Sequence, residues 1–291
     1  MTMVAQVLRG APRAAAIKEQ LRATIESFRK RGCPSPVLAA IHVGRHPACE
    51  AYADVQHRAA EQVGIVYRSV QLAESVSESA LIDEIRRLNE DRAVHGVLMH
   101  LPLPERMERR RVHGAIALEK DVEGVHPMSL GLCMTGRAPV VSPIALAVVE
   151  LLEQAGVAFE GREVVIVGHS DLIGKPLALL LLERMATVTV CHRGTSDRGA
   201  LAEHVGRAEV VVSAVGYPGL IRGAWIREGA VVIDIGTTMV GDRVVGDVEF
   251  EAAAQRASHI TPVPGGVGPL TVAFLMHNVV QNYVRQQGAT P

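Results

Sequence analysis

Short apolar runs alternate with longer amphipathic stretches along this chain, and no other feature constrains its fold as strongly. Val37–Val43 (VLAAIHV), Ile65–Val70 and Val94–Leu101 read as strands, the last closed by Pro102 and Pro104. Ala14–Lys30, His46–Val63 and Ser77–Asn89 read as helices. Strands separated by helices pair in parallel and need helices on their faces, so this half is expected to be a layered α/β structure. A second series begins near Pro143. Ile144–Ala155 reads as a helix, Glu163–Val167 as a strand and Leu172–Leu182 as a helix; Thr187–Cys191, Val210–Val215 and Val231–Ile235 read as further strands. Glycines close several of them, the punctuation of a Rossmann-like sheet. Leu270–Gln286 reads as one last helix. The predicted organisation is a two-domain α/β protein. Residues 1–142 form an N-terminal three-layer domain, 143–272 form a C-terminal Rossmann-like domain, and a helix over 273–291 packs back on the first.

Composition narrows the partners. Hydrophobic residues make up 48% of the 291, which is enough for sizeable cores and argues against disorder. The net charge of −1 leaves no basic surplus to grip a phosphodiester backbone, so nucleic acid is not expected as a partner. Cys33, Cys49, Cys133 and Cys191 form no CxxC pair and are expected as reduced thiols of a cytoplasmic protein. The opening MTMVAQVLRGAPRAAA lacks a signal-peptide core, and the longest apolar runs fall short of the roughly 20 residues a membrane span needs. His46, His57, His126, His192, His204 and His277 make no spaced metal set, so no metal is expected.

VVIVGHSDLIGKP, Val164 to Pro176, reads as strand, glycine turn and helix. Gly168 permits the tight turn, Gly174 lets helix and strand pack closely, and the helix start offers free N–H groups to a phosphate. The spacing is G-x-S-x-x-x-G rather than G-x-G-x-x-G, and by itself it is equally a plain strand–helix turn. The next strand adds to it. Arg193 follows that strand, 25 residues after Gly168, where an NAD site places a carboxylate for the ribose hydroxyls. A cation there suits a 2′-phosphate, so NADP is favoured over NAD. Candidate cofactor residues are Gly168, His169, Ser170, Ile173, Gly174, Arg193, Gly216 and Thr237.

Four further stretches look out of place as simple core. Tyr52 and Gln56 of HPACEAYADVQ share a helix face. GVLMHLPLP carries His100, Leu101 and Pro102 at the end of a strand, where open α/β sheets bind ligands. EKDVEGVHP is a compact charged loop around Asp121, and TPVPGGVGPLT combines rigid prolines with Gly265 and Gly266. Together with the glycine turn, these resemble the bifunctional methylenetetrahydrofolate dehydrogenase/methenyltetrahydrofolate cyclohydrolase family over nearly the whole chain. The resemblance implies a homodimer of two-domain subunits, NADP on the C-terminal domain and a tetrahydrofolate derivative as substrate in a cleft between domains. It implies two reactions: oxidation of the methylene to the methenyl form, then hydrolysis to the formyl form. Tyr52 matches the tyrosine of the family's Tyr-x-x-x-Lys motif. Asp121 is matched to the aspartate that holds the pterin's N–H groups, and Leu101, Pro102, Pro264, Gly265 and Gly266 match substrate-side segments.

The departures are Gln56 for the motif lysine, His100 for a glutamine, Glu123 for an aspartate, Thr237 for an apolar residue and Cys49 for a serine. Hydride transfer between two bound ligands needs alignment and no protein proton. Hydrolysis needs protons moved, and a neutral amide cannot titrate. The expected catalytic set is Tyr52, Gln56, His100 and Asp121, with the cyclohydrolase step weak or lost unless His100 takes over the proton role. Lys120 is a weaker candidate for that rescue. A paralogue working on another folate reaction and a non-catalytic folate or nucleotide binder are the competing readings.

Overall fold

The computed structural model describes residues 5–288. Its first elements are β1 (Gln6–Val7), α1 (Ala11–Lys30), β2 (Val37–Val43), α2 (Pro47–Val63), β3 (Val66–Leu72), α3 (Glu78–Glu90) and β4 (Gly96–Met99). Then come α4 (Arg109–His113), α5 (Pro127–Cys133), α6 (Pro143–Gln154), β5 (Glu163–Val167), α7 (Gly174–Leu182) and β6 (Thr187–Cys191). The remainder is α8 (Arg193–Asp197), α9 (Leu201–Arg207), β7 (Val210–Ser213), β8 (Val231–Asp234), β9 (Thr238–Val240), β10 (Arg243–Val245), α10 (Phe250–Ala254), β11 (His259–Ile260) and α11 (Val267–Gln286). No helix among the described residues is long and apolar enough to cross a membrane. The chain divides into two compact units, residues 14–143 with 272–288, and residues 5–13 with 144–271.

In the first unit three parallel strands lie in the order β3-β2-β4. The central strand β2 is buried at all seven positions. Side chains alternate between the faces of a strand. Val37, Ala39, Ile41 and Val43 therefore join Leu81, Ile85 and Leu88 of α3 in one apolar cluster. Leu38, Ala40 and His42 face the other way, in register with Tyr67, Ser69 and Gln71 of β3. On β4 a Cβ at Gly96 would lie 2.4 Å from Val122 and 3.6 Å from Val279, so only glycine lets the strand meet the loop after β4 and α11. α11 ties that loop with polar side chains: Asn278 donates to the carbonyls of Val122 and Val141, and Asn282 to that of Asp121, all at 2.9 Å.

The second unit holds a six-stranded parallel sheet in the order β1-β11-β8-β7-β5-β6. Its strands β5, β7 and β8 bury nearly every side chain, as parallel strands covered on both faces must. The chain runs from β5 out to β6 and returns to β7 on the other side of β5, which makes the carboxyl ends of these three strands the switch point where such sheets take ligands.

The structure departs from the sequence reading in three places. Residues 5–13 do not group with 14–143, because β1 pairs with β11, Gln6 opposite His259 and Val7 opposite Ile260. A two-residue strand carries no periodicity that would announce it. The helix expected from Leu172 begins at Gly174, because the Ser170 Oγ accepts the Ile173 N–H and holds the preceding residues in a turn. The β9–β10 hairpin around Gly241 was not foreseen.

Candidate functional site

Cross-strand register builds the first cluster. Ile41 stands opposite Met99 and the His100 N–H continues the ladder to the Ile41 carbonyl, which sets His42 and His100 side by side on one face. Their rings stack with centroids 4.1 Å apart. The His100 Nε2 meets the Tyr67 hydroxyl at 3.3 Å, and the Tyr67 ring in turn stacks on His57 of α2 at 5.0 Å. Burial and the neighbouring His42 push the His100 pKa down to about 3, so its imidazole is neutral at physiological pH and a poor proton acceptor. His100 is a stacked, hydrogen-bonded member of the sheet face, a setting that does not favour the alternative in which it takes over proton transfer.

Tyr52 and Gln56 project from α2 at i and i+4. Burial of its surroundings pushes the Tyr52 phenol up to about 12, with the Gln56 amide pulling the other way and Glu123 adding to the rise. Tyr52 nonetheless leaves 41% of its surface to solvent, which fits a ring that is accessible at its face and a hydroxyl among buried atoms. Gln56 is only 2% exposed and its Oε1 has no hydrogen-bond partner. An orphaned buried acceptor costs about 1–3 kcal/mol, so this atom is poised for a donor from outside the chain.

The charged loop also differs from expectation. Asp121 is buried, and its Oδ1 accepts from the N–H groups of Glu123 and Gly124 at 3.0 and 2.9 Å. Its Oδ2 accepts from the His126 N–H and the Ser129 hydroxyl at 3.1 and 2.7 Å. A carboxylate offers about four acceptor positions, and all are taken. Asp121 thus shapes the loop and has nothing left for a pterin. Glu123, two residues further along the loop, accepts no hydrogen bond among the described residues and acts electrostatically on Tyr52. Burial, with the Asp121 charge next, drives its pKa up to about 8 against the pull of Arg109. Lys120 is likewise committed, its Nζ donating to the carbonyls of Leu88, Asn89 and Asp91 at 2.6–2.8 Å. Leu101 follows β4, and its carbonyl takes a hydrogen bond from the Cys49 thiol at 2.8 Å.

In the second unit a pocket of about 670 Å³ opens at the carboxyl ends of β5, β6 and β7. Gly168, His169 and Ser170 form one wall, His192, Arg193, Ser196 and Asp197 another, and Ala214, Val215, Leu201 and Leu220 an apolar floor beside Tyr217. Gly168 has φ +125 and a Cβ there would lie 2.6 Å from the Ala214 carbonyl oxygen. At Gly174 a Cβ would lie 2.1 Å from the Gly168 carbonyl oxygen, so Gly174 is a packing residue beneath the turn. The volume falls in the range of small-molecule and cofactor sites, and its mix of apolar floor and cationic rim suits a nucleotide.

Of the predicted cofactor residues, Gly168, His169, Ser170 and Arg193 line this pocket; Gly216 sits between lining residues Val215 and Tyr217, while Ile173, Gly174 and Thr237 are outside the lining. His192, which the sequence reading considered only as part of no metal set, lines it too. Pro264, Gly265 and Gly266 lie in this same unit, where the Gly266 N–H donates to the Pro262 carbonyl and Gly265, at φ +104, accepts from the Gly10 N–H.

Family models cover both halves of the chain. Residues 8–123 match the catalytic domain of tetrahydrofolate dehydrogenase/cyclohydrolase, and residues 142–287 match its NAD(P)-binding domain. The chain belongs to the tetrahydrofolate dehydrogenase/cyclohydrolase family. It is 44% identical over 280 residues to the bifunctional protein FolD of Geotalea uraniireducens, covering 96% of this chain and 98% of that one. It is 46% identical over 280 residues to FolD of Acidithiobacillus ferrooxidans, covering 94% and 96%. The structure of methylenetetrahydrofolate dehydrogenase-cyclohydrolase from Trypanosoma brucei, complexed with NADP cofactor and inhibitor, superimposes with a TM-score of 0.94 at 38% identity, covering 98% of this chain and 99% of that one.

Proposed function

We propose that the chain oxidises 5,10-methylenetetrahydrofolate to the methenyl form with NADP and hydrolyses that product weakly or not at all. Family membership supports the oxidation. NADP, when bound, supplies the hydride acceptor. The pocket at β5, β6 and β7 would hold it, with Gly168 giving backbone access and Arg193 offering a cation to a 2′-phosphate. Glu123, rather than Asp121, is assigned to the pterin's N–H donors, because its oxygens are the ones left available beside Tyr52. The Tyr52 ring, open to solvent, provides a flat surface against the folate.

Hydrolysis asks more of the protein. A water must lose a proton as it adds to the methenyl carbon, and the ring nitrogen that departs must gain one. Tyr52 keeps its proton at neutral pH, His100 does not take one up, and Lys120 is bound to three carbonyls. Glu123 does titrate in the neutral range, but pterin donors would fix it as carboxylate. Gln56 occupies the motif lysine's position as a neutral amide whose free Oε1 can only accept a hydrogen bond. That buried, orphaned amide is the observation on which the split between the two activities rests. A homodimer, implied by the family, belongs to the same proposal.

The test follows reduced nicotinamide and the methenyl chromophore together in purified protein. The expected result is equal growth of both signals, with the methenyl species persisting at its uncatalysed lifetime. Rapid decay of added methenyltetrahydrofolate would overturn the hydrolytic half, and silence in both signals the oxidative half.

A further inference from the structure

One wall of the nucleotide pocket has little packing of its own to hold it. β7 ends at Ser213, and the Ala214 N–H makes the last ladder bond, to the Val167 carbonyl at 2.8 Å. Beyond that point Val215, Gly216 and Tyr217 are all exposed. Exposed side chains give a loop no core contact to fix its backbone. The fixing comes from Asp247, which is wholly buried and lies outside the pocket lining. Its Oδ2 accepts the Ser213 hydroxyl at 3.0 Å and the Val215 N–H at 2.8 Å, and its Oδ1 accepts the Tyr217 N–H at 2.9 Å. Donors converge on both positions, so both must be oxygen; an asparagine would set its NH2 against an N–H. The carboxylate is held in turn. Asp234, at the end of β8, takes the N–H groups of Asp247 and Val248 at 3.0 and 2.9 Å. A Cβ at Gly236 would strike the Asp247 Oδ1, and one at Gly246 the Asp234 Oδ2, so two glycines let these acids seat against the backbone.

A trans peptide points its carbonyl away from its N–H. With the Val215 N–H turned to Asp247, the Ala214 carbonyl faces Gly168, where a Cβ would lie 2.6 Å from its oxygen. With the Tyr217 N–H turned the same way, the Gly216 carbonyl takes the Thr238 hydroxyl at 3.2 Å. We propose that Asp247 is a positioning residue for NADP: from outside the pocket it fixes the peptides of residues 214–217, spends two of their N–H groups, and leaves this wall to offer carbonyls. Such a wall suits hydroxyl or amine donors of the nucleotide better than its phosphates. The inference rests on reading this pocket as the NADP site. It extends that reading from the residues that line the pocket to the one that sets their backbone.

Titration calorimetry of the whole chain with NADP, and separately with tetrahydrofolate, tests this beside a thermal melt. Asp247→Asn keeps the shape and one oxygen, whereas Asp247→Ala keeps neither. NADP should bind about tenfold or more weakly, Ala worse than Asn, because charge-assisted bonds to the loop are lost, while tetrahydrofolate binding stays unchanged. Ser213→Ala leaves both N–H groups on the carboxylate, so it should lower the melting midpoint yet keep NADP affinity within about twofold. A merely structural Asp247 would lower the melting midpoint in all three variants without moving NADP affinity at a temperature where each is folded. Gly236→Ala pushes the carboxylate aside with its charge intact, and it should weaken NADP even if the Asp247 variants do not fold. Gly168→Ala, whose Cβ would strike the Ala214 carbonyl, marks the pocket itself. NADP binding lost in Gly168→Ala but unaltered in Asp247→Asn and Gly236→Ala overturns the positioning role alone, as does a loss in Ser213→Ala as large as that in Asp247→Asn. Binding unaltered in Gly168→Ala as well overturns the nucleotide reading of the pocket.

Discussion

Glu123 gives the sharpest quantitative prediction. Its pKa of about 8 means that in the empty site at pH 7 roughly one molecule in eleven carries it as carboxylate, and at pH 8 about half do. If the pterin's N–H groups bind the carboxylate, the apparent affinity scales with that fraction. The dissociation constant for tetrahydrofolate should fall about fivefold from pH 7 to pH 8 and level off above about pH 9, with close to one proton released per ligand at pH 7. The sign for stability is opposite. A carboxyl raised above its ordinary value favours the folded chain below about pH 4.5, and that contribution fades as pH climbs through about 8, so the free protein should lose thermal stability over this range and bound folate should restore it. Calorimetric titration without cofactor, at pH steps from 6 to 9 in paired buffers, measures both affinity and proton release. Glu123→Gln should bind more weakly and show no pH slope, whereas Glu123→Asp should keep a slope. An affinity in the unaltered protein that is flat or falls from pH 7 to 8, or a slope that survives in Glu123→Gln, would refute the assignment of Glu123 to the pterin.

Gln56→Lys should raise methenyl hydrolysis by about 10² to 10⁴ while changing hydride transfer only a few-fold, read from decay of added methenyltetrahydrofolate; no gain with the oxidation intact would show that more than the lysine is missing. Lys120→Met removes the donor for three carbonyls, and three lost charge-assisted bonds in a buried setting should cost at least about 3 kcal/mol, seen as an early urea midpoint. Gly174→Ala must separate α7 from the Gly168 turn, because its Cβ meets backbone rather than a side chain; a loss of about 1–3 kcal/mol and a weakened nucleotide affinity should appear together in melting and binding curves.

Apolar periodicity located most of the strands and helices, because buried parallel strands and their covering helices leave that pattern directly in the sequence. The glycine turn was legible for the same kind of reason, since Gly168 and Gly174 stand where any Cβ would strike backbone. Asp121 and Glu123 show what stayed hidden. Both are acids in one short loop, and motif matching favoured the first. Only the count of N–H groups around Asp121 reveals that the loop consumes its oxygens and leaves Glu123 to the site. His100 is similar. Its position at a strand end suggested chemistry, but its stacking partner His42 lies 58 positions away in the chain and is found through strand register. His192 could have been anticipated, since it directly follows a strand of the nucleotide sheet, as Arg193 does one position later.

The pairing of β1 with β11, and the anchoring of the Asp121 loop by α11, give the polypeptide an unusual history during synthesis. Each compact unit is assembled from two separated stretches of the chain, so a break at residue 143 would leave both units without one of their pieces. As the ribosome extends the chain, the early three-stranded sheet must wait for Asn278 and Asn282 before its loop is held. The edge strand β1 must wait for His259 and Ile260 before it has a partner. Domains usually fold as units in order of synthesis, and this connectivity leaves the last piece of each unit to be set late in the chain. Until then the edge that β1 later covers on β11, or β1 itself, has no partner, so the connectivity rather than the core sets when that sheet edge is closed.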